Sequence, residues 1–210
     1  MKSTVLGPSV VDIGLVQSMR KGSLALLIAV TSVVCIFSAS RWPTSVHQAI
    51  EWVGMGLILI CISGRTWCSL YIGGRKTSEL VTSGPYSISR NPLYVFSIIG
   101  AVGAGAQLGA VTIAIVGGVA AWIVHMLVVI QEERLLLAEH GDVYRQYMAD
   151  VPRFLPRISR WKDVDVLEVQ PHAVARTYLD ACFFLVTIPL SEGIEFLQNA
   201  GLIHVFIRLP

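Results

Sequence analysis

The sequence predicts an all-α fold, a polytopic membrane helical bundle, on three observations. Of its 210 residues 54% are hydrophobic and only 14% are charged, where a soluble domain carries about a quarter. Mean hydropathy is +0.65. The apolar residues also come in long uncharged runs, such as Leu93 to Ile130, as expected of helices that cross a bilayer.

A first span reads from Gly22 to Ser40 and is closed by Arg41-Trp42-Pro43, with Trp42 suited to a membrane interface. Met19-Arg20-Lys21, the apolar run and Ser38-Ala39-Ser40 also look like a signal peptide. The 18 residues before them are long for its charged head, so an uncleaved span is preferred. A second span, Ala49–Ile72, ends at Trp67, Tyr71 and the Gly73-Gly74 breaker, ahead of Arg75-Lys76.

From Leu93 to Gln131 there are 39 residues. One helix of that length would run about 58 Å, nearly twice a bilayer core. Split at Gln107-Leu108-Gly109, the segment becomes a hairpin of two helices, each long enough or nearly so to cross. The hairpin brings Arg90 and Glu132-Glu133 to one surface. Gly100, Gly103, Gly105 and Gly109, with Gly117-Gly118, fit close helix packing. A glycine-rich cofactor loop is the weaker alternative, because no strand precedes it.

Past the glutamates the helix should run out to a stop at Gly141. Asp142 can then cap a short helix, Val143–Asp150, that places Tyr144 and Tyr147 on one face before Pro152. Segment Ile158–Thr177 is polar and is expected in water or among headgroups. The apolar tail, Tyr178–Pro210, is interrupted by Asp180, Pro189, Glu192-Gly193 and Glu195. A carboxylate at a helix centre costs about 2.5–3.5 kcal/mol on insertion scales, so an interfacial or bundle-packed element is preferred over a fifth span. The chain thus divides into two N-terminal spans (1–72), a core (73–158), and a polar linker with an apolar element (159–210).

The net charge of +2 is unevenly spread. Lys and Arg cluster at Arg20-Lys21, Arg75-Lys76 and Arg90, and from Arg134 to Arg176. The positive-inside rule puts the N-terminus, the 73–92 loop and the 132–177 segment on the cytoplasmic side. Cys35, Cys61, Cys68 and Cys182 form no CxxC and imply neither a disulfide framework nor a zinc site. His47, His140, His172 and His204 are scattered and suggest no metal. Nothing points to a nucleic-acid partner.

The chemistry concentrates in Gly84-Pro85-Tyr86-Ser87-Ile88-Ser89-Arg90-Asn91-Pro92-Leu93-Tyr94 and in Gln131-Glu132-Glu133-Arg134. Arg90 offers a bidentate cation for a carboxylate or phosphate, among the amide of Asn91 and the phenols of Tyr86 and Tyr94. Anchoring to lipid phosphates is the plainer alternative. Adjacent glutamates on a helix point about 100° apart, so one can face a pocket while the other faces solvent. A solvated helix end beside Arg134 would explain the pair as well. Arginine on one side and glutamates on the other complement an amino-acid zwitterion. Arg65, near the end of the second span, fits snorkelling or contact with a substrate headgroup. His125, in the fourth span, is either functional or hydrogen-bonded to a neighbouring helix.

Together with Tyr144-Arg145-Gln146-Tyr147 and Val151-Pro152-Arg153-Phe154-Leu155-Pro156, these motifs resemble the isoprenylcysteine carboxyl methyltransferase-like family, itself similar to phospholipid N-methyltransferases. The match covers about residues 76–158. Asn91 stands where that family usually has histidine; it keeps a hydrogen-bonding side chain but cannot carry a proton. The resemblance implies a cytoplasm-facing S-adenosylmethionine pocket, formed by the hairpin and the following short helix. Cofactor-binding residues would be Tyr86, Arg90, Asn91, Pro92, Tyr94, Glu132, Glu133, Tyr144, Tyr147 and Pro156. Arg90, Glu133 and Arg153 would be central to the chemistry. Glu132 or Glu133 would hold the cofactor's amino group, and Arg90 or Arg153 its carboxylate. The methyl acceptor would be a lipophilic small molecule or lipid: a prenylcysteine carboxylate, a phospholipid amine or a small thiol. A membrane sterol-type NADPH reductase and a non-enzymatic membrane protein are the alternatives.

Overall fold

The computed structural model describes residues 36–73 and 80–210. Most of the expected first span therefore lies outside the described residues. Its last three residues are not helical: Ser38–Ser40 form strand β1, which pairs in parallel with β2, Ile207–Leu209, in the register Ser38 to Ile207. Arg41 N extends the pairing by donating to Leu209 O at 2.8 Å.

Helix α1 spans Thr44–Ile72, about 43 Å. It begins five residues before the expected Ala49, because the backbone N–H groups of Val46 and His47 both find Pro43 O at 3.0 Å. One face presents Trp52, Val53, Leu59 and Ile60 outward, while Ile58, Cys61, Ile62 and Cys68 are buried. After α2, a single turn at Pro85–Ile88, helix α3 runs Pro92–Ala106. Helices α1 and α3 pack backbone to backbone. A Cβ on Gly103 would lie 2.7 Å from Gly54 O, and one on Gly54 would lie 2.8 Å from Gly103 O, so only glycine fits at this crossing.

Helix α3 has 15 residues, about 22 Å, against a hydrocarbon core of about 30 Å. The third expected span is thus a short apolar helix, shorter than the core is thick. The turn falls at Gln107-Leu108-Gly109 as the sequence requires, with Gly109 at φ +61°. Helix α4, Val111–Asp150, then continues for 40 residues, about 60 Å, so roughly half of it must leave the bilayer. Glu132 lies about 32 Å from its start, at the edge of the apolar core. At Gly141 the backbone takes φ 54°, ψ −123°, where the sequence places a stop, and helix resumes through Asp150.

The tail is helical and packs on the bundle, one of the two arrangements expected of it. Helix α5 (Pro171–Cys182), a 3-10 turn (Phe183–Val186) and helix α6 (Thr187–Asn199) make one helical stretch of 29 residues, long and apolar enough to cross a membrane. Thr44–Ile72 and Val111–Asp150 also qualify among the described residues. Pro189 is accommodated in the first turn of α6, where its missing N–H has no intrahelical partner to lose. Ala181 packs on Ile58 and Ile62, with Phe184 and Ile188 alongside. The segment before α5 is not simply solvated. Trp161 stacks on Trp67 at 5.6 Å, and Asp163 accepts a hydrogen bond from Tyr71 OH at 3.0 Å.

Candidate functional site

The polar knot is held by the chain that follows α4. Arg90 N donates to Pro152 O at 2.9 Å, and Arg157 N to Ile88 O at 2.9 Å. Ser89 Oγ donates to Phe154 O at 3.1 Å. Asn91 Nδ2 donates to Arg153 O at 3.2 Å. The position that the resemblance associates with a protonatable histidine is here a fastener between the start of α3 and the 151–157 segment. Tyr147 OH reaches back to Tyr86 O at 2.7 Å. The break at Gly141 makes these contacts possible, since it redirects Tyr144 and Tyr147 over the knot.

Within this frame Glu133 is buried and gripped by two arginines. Arg153 Nε and Nη2 donate to its two carboxylate oxygens at 3.1 and 2.7 Å, the bidentate fork–fork geometry. Arg90 Nη2 lies 3.3 Å from Glu133 Oε1. Glu132, one residue away, turns to α3 and accepts from Tyr94 OH at 3.0 Å. The glutamate pair therefore divides as the 100° offset requires, with each member on a different partner. The hydrogen bonds to Glu133 hold the Arg153 guanidinium above its usual pKa, so it remains a cation. Burial pushes the Tyr86 phenol well above its ordinary range, and it stays neutral.

These groups line a cavity of about 400 Å³ at the membrane-edge end of the hairpin, within the usual size range of small-molecule sites. Tyr86, Arg90, Asn91, Tyr94, Glu132, Glu133, Tyr144 and Tyr147 all face it. Arg153 stands behind Glu133 and does not line the cavity. Pro92 starts α3 and is buried outside the cavity lining, and Pro156 is exposed, so neither prolyl ring is a wall of the cavity. Sequence reasoning missed Glu139 and Leu136, which also line it. Their spacing from Glu132, seven residues for Glu139 and four for Leu136, marks one helix face and was available as a signal.

A second cavity, about 860 Å³ and mostly apolar, lies between α3, α4 and the α5–α6 stretch. His125 and Ser97 line it, as does Asp180. The rings of His125 and Tyr94 meet edge-on at 4.9 Å, so this pair stands between the two cavities. His125 bonds its own helix, not a neighbouring one: Nδ1 lies 2.7 Å from Ala121 O. A carbonyl only accepts, so Nδ1 carries the proton, and in the neutral ring Nε2 keeps its lone pair. Arg65 reaches Ser97 Oγ instead of extending toward the interface.

The donor set fits an amino-acid zwitterion bearing a sulfonium. Arg90 Nε is buried without a hydrogen-bond partner among the described residues, and the Arg90 side chain lines the cavity. Glu132 and Glu139 supply carboxylates on the same walls.

Fold and site together define an integral-membrane helical protein whose hairpin ends in a charged cradle. The sequence profile of the phospholipid methyltransferase family matches residues 52–142, and the chain belongs to that family. Over 211 residues, 100% of this chain and 98% of the relative, it is 31% identical to the nickel-cobalt-cadmium resistance protein NccN of Alcaligenes xylosoxydans xylosoxydans. It is 32% identical over 175 residues to the cobalt-zinc-cadmium resistance protein CzcN of Cupriavidus metallidurans, covering 83% of this chain and 81% of that one. No solved structure matches the chain.

Proposed function

We propose that this protein is an S-adenosylmethionine-dependent methyltransferase that works at the cytoplasmic membrane edge on a lipophilic acceptor. The observation that carries the reading is the Arg90–Glu133–Arg153 cluster beside Tyr94–Glu132, set at the mouth of the hairpin and next to an apolar cavity. S-adenosylmethionine, when bound, supplies a methyl group already activated on its sulfonium. The chain's own residues bind, orient and exclude water. Arg90 takes the cofactor's carboxylate, and Glu132 its amino group. Both oxygens of Glu133 are committed to arginine, so Glu133 and Arg153 are positioning residues that hold Arg90 in place. Tyr86, Tyr144 and Tyr147 wall the cavity.

The acceptor's apolar body occupies the larger cavity, and its reacting group meets the methyl donor at the Tyr94–His125 contact. A carboxylate or thiolate acceptor needs no base there. For an amine, His125 Nε2 is placed to receive the proton that Asn91 cannot. Alignment and desolvation then supply most of the rate. By analogy with the names of its full-length relatives, we assign this methyl transfer to a divalent-metal resistance system.

The test is transfer of labelled methyl from S-adenosylmethionine to a membrane lipid extract by the purified chain in lipid nanodiscs, with the product identified by mass spectrometry. Labelled product from the parent and none from Arg90→Ala supports the reading. A well-folded parent that labels nothing across lipid, prenylcysteine and thiol acceptors overturns it.

A further inference from the structure

At the far end of α1, some 24 residues or about 36 Å from Tyr71, a second polar cluster has formed that methyl transfer does not use. His47 and Glu51, one turn apart on α1, meet Glu195 of α6. His47 Nε2 lies 3.2 Å from Glu51 Oε1 and 2.9 Å from Glu195 Oε1, and the three ligand atoms lie within 4.8 Å of one another. We propose that His47, Glu51 and Glu195 form a site for a divalent transition-metal cation of borderline softness, such as zinc, cobalt or nickel.

The distances carry the case. In a tetrahedral site with bonds of about 2.0 Å, adjacent ligand atoms stand about 3.3 Å apart. Both imidazole–carboxylate separations are already near that edge length. An imidazole nitrogen can hold only one proton, yet two carboxylates converge on this one, so a single N–H leaves excess negative charge. A divalent cation neutralises both acids at once. One nitrogen and two oxygens suit the zinc-to-nickel range better than the softest cations, which select thiolates.

A second observation points the same way. A polar cavity of about 390 Å³ opens beside the cluster and is lined by His47 and Glu195, with Ser38 and Arg208 also on its walls. Ser38 is only 4% exposed, and its Oγ has no hydrogen-bond partner among the described residues. Three-ligand sites keep a fourth coordination position open for water, and the polar cavity beside the cluster gives that position room. Arg208, on the wall of the same cavity, offsets part of the negative charge of the carboxylates. The ring of His47 is fixed by Gly109, where a Cβ would lie 2.0 Å from Nδ1. The side chains of His47, Glu51 and Glu195 are 16%, 28% and 34% exposed, so the cluster is sheltered but reachable. The site goes beyond the methyl-transfer reading and does not depend on it.

The experiment titrates the tag-free full chain in nanodiscs with Co²⁺ and follows visible absorption, without S-adenosylmethionine. The expected result is one equivalent bound, with the intense ligand-field bands of a four- or five-coordinate ion, displaced by Zn²⁺. His47→Gln and Glu195→Gln each weaken binding at least about tenfold, worth about 1.4 kcal/mol, and Ser38→Ala weakens it less. Arg90→Ala, in the other cavity, leaves the bands unchanged. A parent chain with no saturable cobalt band overturns the proposal, and would mean that a protonated His47 bridges the two carboxylates. Equal affinity in His47→Gln overturns it too, because the ion would then sit elsewhere. If a variant fails to fold, the parent spectrum and its displacement by Zn²⁺ still decide.

Discussion

Glu132 and Glu133 are adjacent in sequence but do different work, and single substitutions should separate them. Glu133→Gln leaves Arg90 and Arg153 without their shared carboxylate. Losing one partner of a buried ion pair typically costs about 3 kcal/mol, so thermal unfolding of the variant should come earlier as S-adenosylmethionine affinity falls. Glu132→Gln removes a cavity carboxylate but leaves the arginine cluster intact. It should weaken cofactor binding at least about tenfold in calorimetric titration with little change in unfolding temperature. The opposed charges of Arg90 and the glutamates were legible from the sequence, since charge at the end of an apolar run is conspicuous. What the sequence could not show is that Arg153 returns to claim Glu133, because this depends on the path of residues 151–157. The meeting of His47 with Glu195, 148 residues apart in sequence, was equally hidden.

At the level of elements, the hairpin and the break at Gly141 were legible because each follows from one rule. A 39-residue apolar run is too long to cross once, and glycine alone takes the backbone found at position 141. A Cβ there would meet nothing within 4 Å, so Gly141→Ala tests backbone strain with no steric clash. At φ 54°, ψ −123° that strain is about 1–3 kcal/mol. The variant is expected to straighten α4, carry Tyr144 and Tyr147 away from Tyr86, and lose cofactor binding, with a protease-accessible 151–157 segment as the readout. The β1–β2 pairing was not legible, because three-residue strands at sequence-distant positions carry no periodic pattern. The packing of the tail on α1 was legible only as one of two arrangements, because the partner that His47 gives Glu195 lies far away in sequence.

For the whole molecule, length explains the layout. Helix α4 outruns the bilayer by about half while α3 falls short of it. The charged cradle therefore sits near the end of the apolar length of the hairpin, with the Tyr94–His125 contact between it and the larger cavity. Blocking the larger cavity should spare the cofactor site. Ala120→Phe, on the wall of the apolar cavity, is expected to raise KM for a lipophilic acceptor while S-adenosylmethionine affinity stays unchanged. The most direct test of the central claim is calorimetric titration of the nanodisc-embedded chain with S-adenosylmethionine and, separately, with NADPH. Saturable S-adenosylmethionine binding is expected, weakened at least about tenfold by Arg90→Ala, with no binding of NADPH. Equal affinity in Arg90→Ala, or NADPH binding in place of S-adenosylmethionine, would contradict it.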